Sequence, residues 1–343
     1  MSKLAKFNEL FEVPPAMRQY AELIVTPLEM DLILAMNGQS MSAQQVAQAM
    51  NLTSEQAQEL MDQAYKRHVV NKEVDGQKVG YIFDYIDETG KEIRYIPAKF
   101  YDRLDHLTMY DNWNDIPEEV RKQISDWWLR GYAEKIAPVV EKIKEDPDAY
   151  QQIKQKDFLL LEEALQQVEA AEFHAVVNCD CRSSEQACDR MVETCIRFDD
   201  GARYTVERGL GRVLTKEECK EVVINTDRDG LMHIGTKDMQ HGLFGFCNCC
   251  TCCCFPLRAS KILDSEKVYP RVHYQAVRKE SNCNHCGRCV KRCQFKAFHF
   301  DGSKVEIKGK QRKHVSFDPQ LCFGCGLCAN ACPSEAIEMK KIT

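Results

Sequence analysis

The carboxy-terminal part of the chain carries one cysteine pattern twice. Cys283-Asn-His-Cys286-Gly-Arg-Cys289-Val-Lys-Arg-Cys293 and Cys322-Phe-Gly-Cys325-Gly-Leu-Cys328-Ala-Asn-Ala-Cys332 each read C-x2-C-x2-C-x3-C, and all four positions recur at an offset of 39 residues. Three thiolates two residues apart wrap one face of an iron–sulfur cube, and a fourth, three residues on, points toward a neighbouring cube. The in-register duplication therefore assigns Cys283, Cys286, Cys289 and Cys332 to one [4Fe-4S] cluster and Cys322, Cys325, Cys328 and Cys293 to a second. Structural zinc is the weaker reading, because zinc sites favour paired C-x2-C knuckles over triplets.

Gly287, Gly324 and Gly326 allow the tight turns that bring backbone N–H groups toward cluster sulfurs, and Val290, Phe295, Phe298, Leu321, Leu327 and Ile337 are the expected apolar shell. Residues 275 to 340 resemble the bacterial two-cluster ferredoxin domain, which implies a ferredoxin-like fold and a one-electron relay. Two departures stand out. Gln294 occupies the place where the motif usually has proline, and a lysine-rich stretch from Asp301 to His314 lengthens the link between the half-sites.

Ten further cysteines form two sets. Cys179, Cys181, Cys188 and Cys195 follow a C-x-C-R-x5-C-x6-C spacing behind the apolar run Phe173–Val177, and Cys247-Asn-Cys249-Cys250-Thr-Cys252-Cys253-Cys254 contains the triplet Cys247, Cys250, Cys253. Six thiols in eight residues are not inert packing. Together with the tail, these segments resemble a family of 4Fe-4S proteins over residues 160 to 340, and the resemblance implies an additional iron–sulfur or other metal site drawn from Cys179, Cys181, Cys188, Cys195, Cys247, Cys250 and Cys253. Three arrangements stay open: a third cubane on the first set, a cluster on the triplet with a ligand from elsewhere, or a catalytic or non-cubane centre sharing both sets. Structural zinc and free redox thiols are the competing readings. Arg182 either lowers nearby thiolate pKa values or is an ordinary surface arginine. Cys219 sits in a polar helix and is no expected ligand, and His233, His241 and His285 are candidates by proximity alone. No phosphate-binding loop or nucleophile elbow is present, and Gly209-Leu-Gly211 is too short for a dinucleotide fingerprint.

Nineteen cysteines, none before Cys179, do not suit a disulfide framework; metal ligation in a reducing cytoplasm does, and the reactivity of thiolate-bound iron points to an anaerobic cell. No apolar run of membrane-spanning length occurs, and the expected location is cytoplasmic. From Arg271 onward 14 Lys+Arg face 6 Asp+Glu, a balance of +8, which leaves −14 for the rest of a chain whose net charge is −6. A basic tail compensates cluster charge and steers a redox partner with an acidic surface; nucleic acid is the less favoured partner.

Residues 28 to 68 read as three helices, Leu28–Met36, Ser42–Met50 and Thr53–His68, followed by a hairpin of Val69–Val74 and Val79–Ile86, and together they resemble a winged-helix domain. Its third helix carries Glu55, Glu59 and Asp62 against Lys66 and Arg67, a poor match to phosphates. Helices are expected over Ile116–Lys144 and Asp157–Glu172, with Trp127, Trp128 and Tyr132 as core or interface aromatics. The fold expected is therefore α+β and multidomain: a winged-helix-like domain (1–110), a helical connector (111–172), a cysteine-rich metal or iron–sulfur domain (173–270) and a 2[4Fe-4S] ferredoxin domain (271–343). The leading function is an electron-transfer protein or subunit working between a low-potential donor and a partner oxidoreductase. The alternatives are a redox enzyme with its catalytic metal site between Cys179 and Cys254, and an iron–sulfur redox sensor that binds DNA.

Overall fold

The computed structural model describes residues 2–79, 86, 88–146, 156–235 and 244–342. His241 and most of the second strand expected at Val79–Ile86 lie outside them. Among the described residues no helix is long and apolar enough to cross a membrane.

The amino-terminal helices start where side chains can satisfy the free backbone N–H groups of a first turn. Thr26, Ser42 and Thr53 each close a reciprocal capping box, with Glu29, Gln45 and Gln56, ahead of helices Pro27–Met36, Ala43–Met50 and Ser54–Lys66. Asn37 and Asn51, both at positive φ, end the first two. Behind them β1 (Val70–Val74) pairs antiparallel with β2 (Gln77–Lys78) on one side and with β3 (Ile93–Pro97) on the other. The strand β3 was not foreseen, because a five-residue segment ending in proline gives little alternation to read.

Two helices then leave this sheet, Phe100–Tyr110 and the long Glu118–Glu145. Their apolar faces do not form a separate connector. A single core runs from Phe7 and Ile33 through Met61 and Leu104 to Trp128 and Ala133, and takes in Phe255 and Ala259 from the cysteine-rich region. The boundary expected at 110/111 passes through it.

The expected helix Asp157–Glu172 is instead a strand followed by a shorter helix. β4 (Asp157–Leu159) pairs with β8 (Met232–Gly235), the Phe158 N–H donates to the Arg271 carbonyl at 3.0 Å, and the helix spans Leu161–Ala170. Phe158 and Leu159 are both fully buried, so the short apolar run gives no period to separate strand from helix. With β5 (His174–Asn178), β6 (Glu193–Phe198), β7 (Gly211–Leu214) and β9 (Gly245–Cys249) they complete an antiparallel six-stranded sheet of order β4-β8-β9-β6-β5-β7. One face packs Phe198, Phe246 and Ile196 against the helices Leu161–Ala170 and Lys216–Asp229. The other face is turned toward the amino-terminal helices.

Besides this shared core, many polar links join the halves, among them two that bear on the site. Arg208, fully buried, reaches from the sheet's helix Asp199–Glu207 to the Tyr65 carbonyl (2.7 Å) and the Asn71 side chain (2.8 Å). Tyr110 Oη accepts the Asn178 N–H at 3.0 Å, one residue before Cys179.

The tail folds as β10 (Tyr274–Arg278) paired with β13 (Ile337–Lys341), and β11 (Phe298–Ile307) paired with β12 (Lys310–Phe317). The lysine-rich stretch noted in the sequence is this second pair, a long hairpin whose Lys304, Lys308, Lys310, Arg312 and Lys313 are exposed. Val290, Phe298 and Ile337 join the apolar shell of the cysteines as expected, and Phe295 and Leu327 instead pack toward the six-stranded sheet. Leu321 is 44% exposed and belongs to neither.

Candidate metal centres

Six of the eight tail cysteines sit on irregular segments and Cys289 and Cys328 in the short helices Arg288–Arg292 and Leu327–Asn330, and backbone N–H groups are aimed at some of their sulfurs. The Ala336 N–H donates to Cys332 Sγ at 3.3 Å and the Ala276 N–H to Cys322 Sγ at 3.5 Å. Gly324, at φ +62, lies so close to the Tyr274 carbonyl that any Cβ would collide with it, and a Cβ at Gly287 would strike the Phe300 ring. These turns hold the thiols around small closed spaces; one is lined by Cys283, Cys286, Cys289 and Cys332. Burial, together with the charge of Cys283, Cys286 and Cys332, pushes the Cys289 thiol up to about 11. Cys325 is pushed up to about 12 by burial and by Cys293 and Cys322. Each triplet therefore feels the fourth cysteine of the opposite run. A soft, all-thiolate donor set in backbone cradles that admit no Cβ fits iron–sulfur clusters.

Residues 282–336 match the family model of the 4Fe-4S dicluster domain. The tail of this chain belongs to that family. It binds two [4Fe-4S] clusters. One relative is a pyruvate synthase subunit of Thermotoga maritima, 37% identical over 59 residues, or 17% of this chain and 57% of the relative. Another is an indolepyruvate oxidoreductase subunit of Archaeoglobus fulgidus, 38% identical over 60 residues, 18% of this chain and 8% of the relative. A ferredoxin of Methanocaldococcus jannaschii is 32% identical over 60 residues, 18% of this chain and 70% of the relative. The match thus spans 57% and 8% of the two oxidoreductase subunits and less than a fifth of this chain.

The other cysteines are sorted by the strands that carry them. On β9, Cys247 and Cys249 point to one face and Phe246 and Asn248 to the other, where Asn248 Oδ1 accepts from His233 Nδ1–H at 2.6 Å. Cys195 and Arg197 alternate in the same sense on β6, and Cys179 follows the end of β5. Cys254 opens helix Phe255–Ile262, whose Phe255 N–H donates to Cys181 Sγ at 3.4 Å. The result is a group of six cysteines, Cys179, Cys181, Cys247, Cys249, Cys253 and Cys254, lining a cavity of about 310 Å³. Cys195 packs with Cys179 and Cys247 behind it.

The amino-terminal half closes this cavity. Tyr101 and Asp105 enter from helix Phe100–Tyr110, and Trp128, Tyr132 and Ile136 from the long helix; Tyr269, whose hydroxyl lies 3.1 Å from that of Tyr132, completes the wall. Lys156 and Arg197 bring positive charge to it. Burial opposes the Lys156 charge, but Cys247, Tyr269, Cys249 and Cys254 outweigh it and raise the amine's pKa. Burial, with Asp180 and Asp102 nearby, holds Asp105 well above the usual carboxylate range.

The seven cysteines expected to share one additional site are therefore divided. Cys179, Cys181 and Cys247 line the cavity with Cys195 packed behind them, whereas Cys188 and Cys250 gather with Cys252 around Cys253, which also lines the cavity. Arg182 is no surface residue: 2% exposed, it donates to the Asn248 carbonyl (2.9 Å), the Met191 carbonyl (2.7 Å) and Cys250 Sγ (3.6 Å). The hydrogen bond from Cys253 and the Arg182 charge together hold Cys250 down to about 4. Cys219 is buried among Val223 and Phe198, away from both groups. His285 Nδ1 accepts the Val315 N–H at 3.0 Å.

Sequence reasoning missed Cys249, Cys252 and Cys254 as members of these groups, and Lys156, Arg197, Tyr101, Asp105 and Tyr269 as wall residues. Strand alternation was the available signal for Cys247-x-Cys249 and Cys195-x-Arg197. Nothing local announces the helical wall.

Proposed function

We propose that this chain passes single electrons between a low-potential donor and a partner oxidoreductase, with the ferredoxin domain connected inward to the six-thiol cavity. The observation that carries this reading is one apolar cluster. It joins Phe323, Leu327 and Cys325 of the ferredoxin domain to Met232, Cys249, Cys254 and Cys247 of the cavity side, through Phe158 and Phe295. Phe295 and Phe323 stack at 3.9 Å between ring centres, and Phe158 meets both edge-on. Close packing of this kind excludes water and keeps the two regions at a fixed separation.

Within the tail, the ligand sets are Cys283, Cys286, Cys289 and Cys332 for one cluster and Cys322, Cys325, Cys328 and Cys293 for the other, supported by the cross-run thiolate repulsion described above. Two [4Fe-4S] clusters supply one-electron chemistry. The exposed Lys304, Lys308, Lys310, Arg312 and Lys313 on the β11–β12 hairpin suit an acidic redox partner, in keeping with relatives that are oxidoreductase subunits.

A second reading, a redox enzyme, is favoured by the cavity itself. Six thiols, a lysine, an arginine and phenolic hydroxyls converge on an enclosed space in the size range of small-molecule sites. There Lys156 and Arg197 would hold negative charge, and the Tyr132 and Tyr269 hydroxyls would donate hydrogen bonds.

The arrangement of helices Pro27–Met36, Ala43–Met50 and Ser54–Lys66 with β1–β3 supports the winged-helix reading of the first part. In this reading it serves as a packing module. The Arg67 guanidinium at the end of its third helix is taken by Glu29 and Asp111 rather than left for phosphates.

The test is anaerobic electron transfer from a low-potential donor to an acceptor protein. Wild type should reduce and reoxidise with one-electron EPR signals. A chain that takes up no electrons at low potential would contradict the proposal.

A further inference from the structure

Cys188, Cys250, Cys252 and Cys253, the last of which also lines the cavity, differ from the other cysteines in one respect. Their sulfurs all lie within 4.8 Å of one another, with Cys188–Cys250, Cys188–Cys253 and Cys252–Cys253 each 3.8 Å apart. We propose that these four thiolates bind one tetrahedral metal ion, zinc or iron, as a centre distinct from both ferredoxin clusters and adjoining the cavity, whose wall it shares at Cys253, and that this ion fixes the loop onto which the ferredoxin domain is latched. The proposal does not depend on the electron-transfer reading.

The spacing decides the nuclearity. Four thiolates around one tetrahedral ion at about 2.3 Å stand about 3.8 Å from each other. In a [4Fe-4S] cube each thiolate takes its own iron, so the four sulfurs occupy the corners of a much larger tetrahedron. The protein supplies its own control: among the described residues no other three metal-ligating groups are drawn this close, the two ferredoxin sets included. Four protein thiolates also fill a tetrahedral ion completely, which is the mark of a structural site rather than a catalytic one. The charge they leave is met by Arg182, buried and donating to Cys250 Sγ.

The position gives the ion its work. Cys250, Cys252 and Cys253 lie in the turn between β9 and helix Phe255–Ile262, a segment with no sheet pairing of its own. Thr251, between two ligands, donates from its backbone N–H (2.9 Å) and its hydroxyl (3.2 Å) to Gln294 Oε1. Gln294 Nε2 in turn donates to the Gly230 carbonyl at 2.5 Å. Gln294 directly follows Cys293, and a proline side chain there has no group to make these bonds. The departure from the ferredoxin motif is thus a latch, and its counterpart is a metal-bound loop.

Metal and sulfide analysis of the full chain, purified without oxygen, tests this against a Cys188→Ser/Cys252→Ser variant. The variant should lose one zinc or one iron per chain with no loss of acid-labile sulfide and an unchanged ferredoxin EPR spectrum. Loss of about four irons with about four sulfides would mark a cubane and overturn the proposal, as would no loss of metal. Should the variant fail to fold, zinc analysis and Mössbauer spectroscopy of the iron-57-enriched wild type decide: one zinc, or one mononuclear high-spin iron, supports the site, and neither overturns it.

Discussion

The ferredoxin tail and the cysteine-rich sheet use the same side chain in opposite ways. In the tail, the cysteines follow one another on loops and two short helices, so their spacing along the chain states the proposed grouping, in which only the crossing of the fourth cysteine is tertiary. In the sheet, neighbours in sequence are separated in space: Cys249 faces the cavity, Cys250 the compact four-thiol group, and Cys254 the cavity again. Spacing is a reliable guide where the backbone only turns. Where it runs through a strand, a turn and a helix start within eight residues, alternation and tertiary placement decide.

Four variants break or sharpen that contrast. The largest effect is expected from Cys322→Ala/Cys325→Ala, which removes two ligands of one ferredoxin set: about half of the tail's iron should go, read by iron analysis and EPR. Cys247→Ser/Cys249→Ser should leave the tail's EPR signals intact while removing any metal of the cavity; simultaneous loss of ferredoxin signals would show the two regions not to be separable. Gln294→Pro removes the bonds to Thr251 and Gly230, and should destabilise the junction by about 1–3 kcal/mol in denaturant unfolding with both tail clusters still assembled. Smallest is Lys310→Glu/Lys313→Glu on the exposed hairpin, expected to slow association with an acidic partner by about tenfold at low salt and little at high salt.

The dicluster domain of the tail was legible in the sequence because its cysteine pattern recurs at a 39-residue offset. The capped amino-terminal helices were legible for the same local reason, since Ser42-x-x-Gln45 and Thr53-x-x-Gln56 announce their own starts. Strand β4 was not, because Asp157-Phe158-Leu159 is too short and too buried to show a period. Nor was the cavity wall. Trp128 and Tyr132 read as core aromatics, and Trp128 does pack edge-on against Phe255 at 5.1 Å, but that they also enclose six thiols depends on where the long helix docks. The unusual residue Gln294 was visible in the sequence as a departure, and its partner, Thr251, lies 43 residues away.

The most direct measurement is iron and acid-labile sulfide per chain after anaerobic purification, with EPR of the reduced protein. Two ferredoxin clusters joined to further thiolate centres predict at least about eight irons with signals of two interacting [4Fe-4S] clusters. Fewer than about eight irons per chain, with a single isolated cluster signal, would contradict it.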